Sequence, residues 1–281
     1  MKEGLLVLLL LLSSFVSLRA QHSCCGMMPP SKDLSMASFA SDPQFVLAHP
    51  NPLPFKGELG GVMVNFPSSD GKTGAGYFMK SSVHPDKVVI MIHEWWGLND
   101  YIKSEADRLS KELGVSVLAL DLYDGKVAAT KEDASKYVQA VDVSRSRAII
   151  MGAIGYIGPT ARIGTIGWCF GGGWSLQAAE LAGSQCDACV MYYGQPESDK
   201  ARLEMLQAPV LGIFGKKDKW LTPQIVEDFK KTMAESEKTI TVYSYDADHG
   251  FANPSNPNHN KKATAEAWKH TTEFFKKNLV K

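Results

Sequence analysis

One cysteine lies in a glycine-rich stretch where a reactive side chain would be well placed. The hexapeptide GWCFGG spans residues 167–172, after an apolar run at 163–166 and before a helical pattern at 174–181. A chain that turns sharply from strand to helix strains the residue at the turn, and its neighbours approach so closely that Gly167 and Gly171 must be small. The spacing therefore predicts a nucleophile elbow with Cys169 at its tip.

An acid and a base follow Cys169 along the chain. Asp218 ends the sequence FGKKD, and His249 lies in DHGF. Taken alone, Asp218 is typical of a solvated loop and His249 of a turn, but the order nucleophile, acid, base, each after a predicted strand, is typical of an α/β-hydrolase. A helix N-terminus and a nearby imidazolium would lower the pKa of the thiol from about 8.5, and Asp218 would fix the tautomer of His249.

Attack on a carbonyl also requires donors for the oxyanion. In this type of fold one donor is the backbone N–H after the nucleophile, here Phe170, and the other lies in the loop after the third strand. That loop begins HEWWG at residue 93. We therefore predict that the N–H groups of Trp95 and Phe170 form the oxyanion hole.

The elements that must position these residues are short strands alternating with helices. Apolar and β-branched runs predict strands at 62–66, 75–79, 87–92, 115–120, 163–168, 188–193, 210–214 and 239–245. Helical periodicity predicts helices at 102–113, 131–141, 144–157, 174–181 and 260–279. This alternation predicts an α/β fold with a mostly parallel central sheet, helices on both faces and a site at the carboxyl ends of the strands.

Several blocks resemble the dienelactone hydrolase family, whose named activity is carboxymethylenebutenolidase. The blocks are IHEWWGLN at 92–99, DLY at 121–123, GWCFGG at 167–172, YYG at 192–194, GKKD at 215–218 and HGF at 249–251. The resemblance covers roughly residues 60–280 and implies an α/β-hydrolase that cleaves an ester or lactone. It also implies that Glu94 contacts the cysteine and takes part in its activation when substrate binds, a role that spacing alone does not assign.

The substrate pocket departs from the family pattern. Members that cleave dienelactone hold its carboxylate with two arginines, and the corresponding places here read Asp124-Gly125-Lys126 and Asn253. A point charge at Lys126 binds a carboxylate less firmly than a bidentate guanidinium. Aromatic residues next to the catalytic positions predict an apolar acyl or lactone pocket, although about half of them would equally suit the core. The candidate pocket residues are Trp96, Tyr123, Lys126, Trp168, Phe251 and Asn253.

The first twenty residues predict export. Lys2 precedes an apolar core from Leu5 to Leu12, and Ala20 offers a cleavage site. This is typical of a cleavable secretory signal over residues 1–20, with a retained anchor as the alternative, and it predicts a periplasmic or secreted protein. Residues 21–58, rich in Pro, Ser and Met, are interpreted as an N-terminal arm without regular structure over much of its length, and 59–281 as the hydrolase domain.

Charge and cysteine usage narrow the partners. Thirty basic and thirty acidic residues give a formal net charge of zero, which leaves no electrostatic footprint for nucleic acid or an anionic membrane. Five cysteines leave one unpaired, and Cys169 is the natural candidate. The pairing of Cys24, Cys25, Cys186 and Cys189 stays open, as does a redox centre at 186–189, of which only Cys186 is expected near the surface.

The sequence as a whole predicts an exported hydrolase that uses Cys169, His249 and Asp218 and passes through a covalent thioester. There is no HExxH, paired CxxC or P-loop pattern, so no metal or organic cofactor is expected. Family resemblance favours a monomer that acts on a small molecule. Two alternatives remain: a cysteine hydrolase of another acyl group, such as a thioester or small amide, and a non-catalytic ligand-binding or thiol-redox protein on the same fold.

Overall fold

The computed structural model describes residues 36–257 and 259–281. The predicted signal, Cys24 and Cys25 lie outside these ranges. None of the helices in the described part of the chain has the length and apolar character needed to cross a bilayer.

Strands and helices alternate along most of the described chain. The strands are β1 Val62–Pro67, β2 Thr73–Met79, β3 His84–Ile92, β4 Val115–Leu120, β5 Arg162–Trp168, β6 Cys186–Tyr192, β7 Val210–Gly215 and β8 Ile240–Tyr245. The helices are α1 Pro43–Ala48, α2 Asp100–Leu113, α3 Lys131–Gln139, α4 Val143–Ile157, α5 Phe170–Ala182, α6 Lys200–Leu203, α7 Pro223–Glu235 and α8 Lys261–Phe275. Short 3₁₀ turns occupy Met36–Ser41 and Gly183–Gln185, and a π turn, Lys276–Val280, follows α8.

The strands form one sheet in the order β1-β2-β4-β3-β5-β6-β7-β8. β1 pairs with β2 and β2 with β4 in antiparallel fashion, and every other pair is parallel. All residues of β4 and β7 are buried, as expected for strands covered on both faces. Helices pack around the sheet, α4 against α5 and α2 against α8. The predicted mostly parallel α/β architecture is confirmed.

Helix ends follow local signals with one informative exception. The Asn99 side chain accepts the Ile102 N–H at the start of α2, and Gly114 ends that helix in the left-handed conformation, with φ of 69°. The helix after the elbow, by contrast, begins at Phe170 rather than at residue 174. Glycine has low helix propensity, so the run 171–173 hid the first turn of α5 from a reading based on periodicity.

The part of the N-terminal arm that the structure describes, residues 36–58, is here called the N-terminal segment. It carries two short helical pieces, which the Pro-rich composition did not predict. Asp42 caps α1 and accepts a hydrogen bond from the Trp220 indole at 3.0 Å. Phe45 is buried, and the Ser135 hydroxyl donates to the Ala40 carbonyl at 2.8 Å. Capping and burial of Phe45 thus hold the segment against the domain.

The cysteines of β6 are not arranged for redox chemistry. Cys186 is only 3% exposed, so the expectation that it lies near the surface was wrong; it faces the core at the start of β6. Cys186 and Cys189 are both free thiols. Burial raises the pKa of Cys186 far above its usual range and that of Cys189 to about 12, which makes both thiols poor nucleophiles.

Candidate active site

Cys169 occupies the sharp turn between β5 and α5. Its φ of 54° and ψ of −116° are strained for a residue with a side chain. A Cβ atom added at Gly167 would overlap the carbonyl oxygen of Gly171, and one added at Gly171 would overlap that of Ile92. The predicted need for glycine at both positions is therefore met by backbone contact, which fixes the thiol at the carboxyl end of β5.

His249 and Asp218 extend from Cys169 in a line of hydrogen-bonding distances. His249 Nε2 lies 3.3 Å from Sγ of Cys169, and His249 Nδ1 lies 2.7 Å from Asp218 Oδ2. The other carboxylate oxygen, Oδ1, accepts the backbone N–H groups of Trp220 and Leu221, both at 2.9 Å. All three side chains are buried. The loops after β5, β7 and β8 thus bring the three predicted residues together.

Burial and charge act in opposite directions on this group. Burial disfavours the charged form of His249, but attraction to Asp218 and to the Cys169 thiolate outweighs it and holds the pKa of His249 well above its usual range. Burial raises the pKa of Cys169, and His249 opposes that rise. Burial would also raise the pKa of Asp218, but His249 and the two loop N–H groups lower it overall. Asp218 is therefore a carboxylate that supports a positive charge on His249.

Glu94 lies beside this line but is held by other partners. The Tyr193 hydroxyl donates to Oε1 at 3.3 Å, and the Asn253 amide makes a short hydrogen bond to Oε2. Burial raises the pKa of Glu94 to about 7, against the opposing attraction of His249. In this state the hydrogen-bonding neighbour of the Cys169 thiol is His249 and not Glu94.

Of the two predicted oxyanion donors, the Phe170 amide interacts with the thiol, and the Trp95 amide lies in the loop after β3. The Phe170 amide, at the first position of α5, donates towards Cys169 and lowers the pKa of the thiol. Across residues 36–257 and 259–281, no acceptor takes the amide of Trp95. The Trp95 carbonyl accepts a hydrogen bond from the Tyr123 hydroxyl at 3.2 Å, and Tyr123 packs against Phe170 with ring centres 5.4 Å apart. Tyr123 therefore orients the loop that carries the second donor.

With this geometry established, comparisons with known proteins give the family. A model of the dienelactone hydrolase family matches residues 75–279. The chain belongs to this family. The protein is accordingly a hydrolase of carboxylic esters or lactones.

The chain is also similar to individual relatives and to a solved structure. The protein usf of Aquifex pyrophilus is 30% identical over 205 residues, covering 68% of this chain and 88% of its own. The carboxymethylenebutenolidase 1 of Cupriavidus pinatubonensis is 25% identical, covering 74% of this chain and 92% of its own. A crystal structure of a putative dienelactone hydrolase from Klebsiella pneumoniae has a TM-score of 0.66 at 21% identity, covering 78% of this chain and 99% of that one. The last likeness supports the α/β-hydrolase fold alone.

Two cavities adjoin the candidate active site. One reaches Glu94 and is lined by Trp96, Trp168 and Asn253 among others. A second reaches His249 and is lined by Phe251. Four of the six candidate pocket residues thus line one cavity or the other.

Tyr123 and Lys126 are the candidate pocket residues that line neither cavity. Tyr123 is buried and packs against Phe170, whereas Lys126 is not part of the core. It is exposed, and its ammonium lies 5.7 Å from the centre of the Tyr137 ring, away from both cavities. The loop that carries it is held through Asp124, which pairs with Arg145. Lys126 therefore adds no cation to either cavity.

Two neighbours of His249 come from the N-terminal segment and were missed by sequence reasoning. The Phe45 ring centre lies 5.6 Å from that of His249, and the His49 ring centre lies 5.3 Å from it. His49 Nδ1 lies 2.7 Å from the Phe45 carbonyl, so this nitrogen is the donor. Burial, with repulsion from His249, lowers the pKa of His49 to about 3. No motif marks either residue, because Pro-rich flanks mask a contact that forms only in the tertiary fold.

Tyr193 was also not assigned a role, although the YYG block contains it. Its φ of 33° is left-handed, and its ring lies 5.1 Å from that of His249 while its hydroxyl reaches Glu94. Strain in a buried residue that touches both the base and the extra carboxylate is typical of a functional position.

Proposed function

We propose that this protein is an exported thiol hydrolase that cleaves a small ester or lactone through a covalent thioester on Cys169. The observation that carries the proposal is the buried line from Asp218 through His249 to the thiol, with separations of 2.7 and 3.3 Å. A nucleophile, a base and an orienting acid at such distances are the recurring arrangement of acyl-transfer enzymes.

The first half of the reaction forms the thioester. The Cys169 proton moves to His249 Nε2 as sulfur attacks the carbonyl carbon, and the carbonyl π electrons move onto oxygen. The amides of Trp95 and Phe170 then donate to the oxyanion. When the carbon–oxygen double bond reforms, the alkoxide leaves and takes the proton from Nε2. Asp218 stabilises the imidazolium throughout.

The second half returns the free thiol. Water gives a proton to His249 Nε2 and attacks the thioester carbonyl, and the second tetrahedral intermediate expels the Cys169 sulfur. That sulfur recovers the proton from Nε2, and the acid product leaves. Glu94 contributes to control of the thiol: its resting partners Asn253 and Tyr193 keep it ready beside the site, and a pKa near 7 lets it exchange a proton at physiological pH.

The substrate class follows from the pocket. With Lys126 away from both cavities and Asn253 committed to Glu94, neither place supplies a guanidinium for a substrate carboxylate. Apolar walls from Trp96 and Trp168 favour a small acyl or lactone group. Relatives named carboxymethylenebutenolidase support lactone cleavage. A neutral net charge supports action without nucleic acid, and a monomer remains our expectation.

Hydrolysis of chromogenic short-chain esters and a simple enol lactone by reduced protein tests the activity. We expect turnover by the wild type, loss of turnover in Cys169→Ala, and retention in Cys186→Ala, which removes a buried thiol of β6. Acid quenching during turnover should leave one acyl group on Cys169, visible as a mass increase. Activity that survives Cys169→Ala would refute the thiol mechanism.

Export is tested separately from activity. The full chain, expressed in a bacterial host, should appear outside the cytoplasm with Gln21 as its first residue, since cleavage after Ala20 is proposed. Retention of residues 1–20 in the membrane fraction would favour an anchor instead.

A further inference from the structure

Three side chains from distant parts of the chain converge at the thiol. His49 comes from the N-terminal segment, Cys169 from the elbow and His249 from the loop after β8. One nitrogen from each imidazole and the Cys169 sulfur all lie within 4.8 Å of one another, and all three residues are buried. The proposed hydrolase mechanism uses Cys169 and His249 but assigns no role to His49.

Both imidazoles have their Nδ1 atoms engaged by a hydrogen-bond partner. His249 Nδ1 lies 2.7 Å from Asp218 Oδ2, and His49 Nδ1 lies 2.7 Å from the Phe45 carbonyl oxygen. In His49 this arrangement leaves the Nε2 lone pair free, and in His249 it directs Nε2 to the Cys169 sulfur at 3.3 Å, with which it shares a proton. Histidines that bind zinc are characteristically held in this way, with the second nitrogen donating to a carboxylate or a backbone carbonyl.

We propose that His49, Cys169 and His249 form a binding site for a soft divalent cation, Zn²⁺, and that its occupation switches the hydrolase off. The donor set suits the metal, because thiolate and imidazole are the preferred ligands of zinc. Bond lengths of about 2.3 Å to sulfur and about 2.0 Å to nitrogen in a tetrahedron place ligand atoms about 3.3 to 3.6 Å apart.

The observed separations need only small movements to meet that requirement. The pair His249 Nε2 and Cys169 Sγ is already at 3.3 Å, and the largest separation in the group is within 4.8 Å. A contraction of about 1 Å is within reach of side-chain rotation at His49. Three protein ligands leave the fourth position for water, and the cavity lined by Ala48 and His249 provides a route for the ion.

A bound metal ion blocks hydrolysis because it binds the Cys169 sulfur and His249 Nε2, the two atoms that carry out the reaction. The pair of Cys169 Sγ and His249 Nε2 shares one proton at rest, and this proton leaves to bulk water as the sulfur and nitrogen lone pairs bind the metal. Neither a free thiolate nor a free base then remains. Because His49 is also a ligand, the metal ties the N-terminal segment to the elbow.

Cobalt, which replaces zinc and absorbs visibly, tests the site without relying on turnover. Co²⁺ is titrated into reduced, chelator-treated wild-type protein and into His49→Ala, His49→Gln, Cys169→Ala and a control, His84→Ala. His84 begins β3, at the opposite end of the strands from the elbow. Circular dichroism confirms that each variant is folded.

We expect one Co²⁺ per wild-type and His84→Ala chain, with a thiolate-to-cobalt charge-transfer band that Cys169→Ala lacks. Both His49 variants should bind Co²⁺ at least 10-fold more weakly, and Zn²⁺ should inhibit ester hydrolysis by the wild type reversibly, at concentrations about 10-fold lower than for the His49 variants. A missing charge-transfer band in the wild type, or equal affinity in folded His49→Ala, would refute the proposal. The absorbance keeps it separate from the proposed hydrolase activity: a protein that binds Co²⁺ in this way but hydrolyses no ester has the metal site and not the enzyme.

Discussion

The substitution Asp218→Asn exchanges one carboxylate oxygen for an NH₂ group, and the surroundings of Asp218 decide which one. Oδ1 accepts two backbone N–H groups, from Trp220 and Leu221, both at 2.9 Å. An NH₂ group at that position would face two donors. The amide oxygen of the variant must therefore take the Oδ1 place, which puts NH₂ opposite His249 Nδ1.

This orientation reverses the tautomer of the base. In the wild type, Nδ1 donates to Oδ2 at 2.7 Å and Nε2 is free to accept the thiol proton. In Asp218→Asn, Nδ1 must accept from NH₂, so Nε2 carries the hydrogen and points it at Cys169. The equivalent change in serine proteases lowers kcat by about 10⁴. A loss of about 10³ to 10⁴, or roughly 4 to 5.5 kcal/mol of transition-state stabilisation, is expected here.

The assay is steady-state hydrolysis of a chromogenic ester by reduced protein, with the rate of Cys169 alkylation as a second measure. Asp248→Asn is the matched control, because Asp248 is exposed, precedes His249 and undergoes the same chemical change. We expect that variant to retain activity within about 2-fold and Asp218→Asn to react slowly in both assays while keeping its fold. Asp218→Asn with more than a tenth of wild-type activity would refute the tautomer argument.

Two further predictions concern the elbow and the extra carboxylate. In Gly171→Ala the new methyl would overlap the Ile92 carbonyl oxygen, so we expect a lower Tm and loss of activity. The control Gly155→Ala lies on the open face of α4, with no atom within 4 Å of the new methyl, and should add about 0.5 to 1 kcal/mol to the free energy of unfolding. Equal Tm values for the two variants would contradict the argument that the backbone approaches Gly171 closely. For Glu94, burial raises the pKa from 4.5 to about 7. Between these two pH values the folded protein retains a proton on Glu94 that the unfolded chain has lost. The free energy of unfolding therefore falls by up to about 3 kcal/mol as the pH rises through this range. Glu94→Gln removes this pH-dependent contribution, so in thermal unfolding its Tm should decline less than that of the wild type between pH 5 and 8. Parallel declines in Tm would show that Glu94 titrates normally.

Periodicity and the spacing of reactive residues predicted most of the fold. The strands near Lys87 and Val115 were evident as continuous apolar runs, and the elbow was evident from Gly167 and Gly171, two residues to either side of Cys169. These signals are local, since each depends on a few neighbouring residues. Asp218 and His249 were found because chain order and fold class together place loop residues at one edge of a parallel sheet.

What sequence reasoning missed depends on contacts between distant segments. Phe45 and His49 reach His249 from the other end of the chain, and nothing in a Pro-rich stretch marks such docking. The side on which Lys126 lies was equally undetermined, because an exposed lysine can point in several directions. The burial of Cys186 was misjudged because its start-of-strand position gives no measure of the helices that cover it.

Docking of the N-terminal segment has a consequence for the order in which the molecule is completed. The segment leaves the ribosome early, yet Phe45 packs against Trp220 and His249, and Leu53 donates its N–H to the Ser255 carbonyl at 3.0 Å. These partners are synthesised near the end of the chain. The segment therefore has to wait, undocked, until the last strands have joined the sheet. The N-terminal segment therefore covers the thiol late in folding. A chain truncated before residue 218 lacks both His249 and the surface on which the N-terminal segment docks.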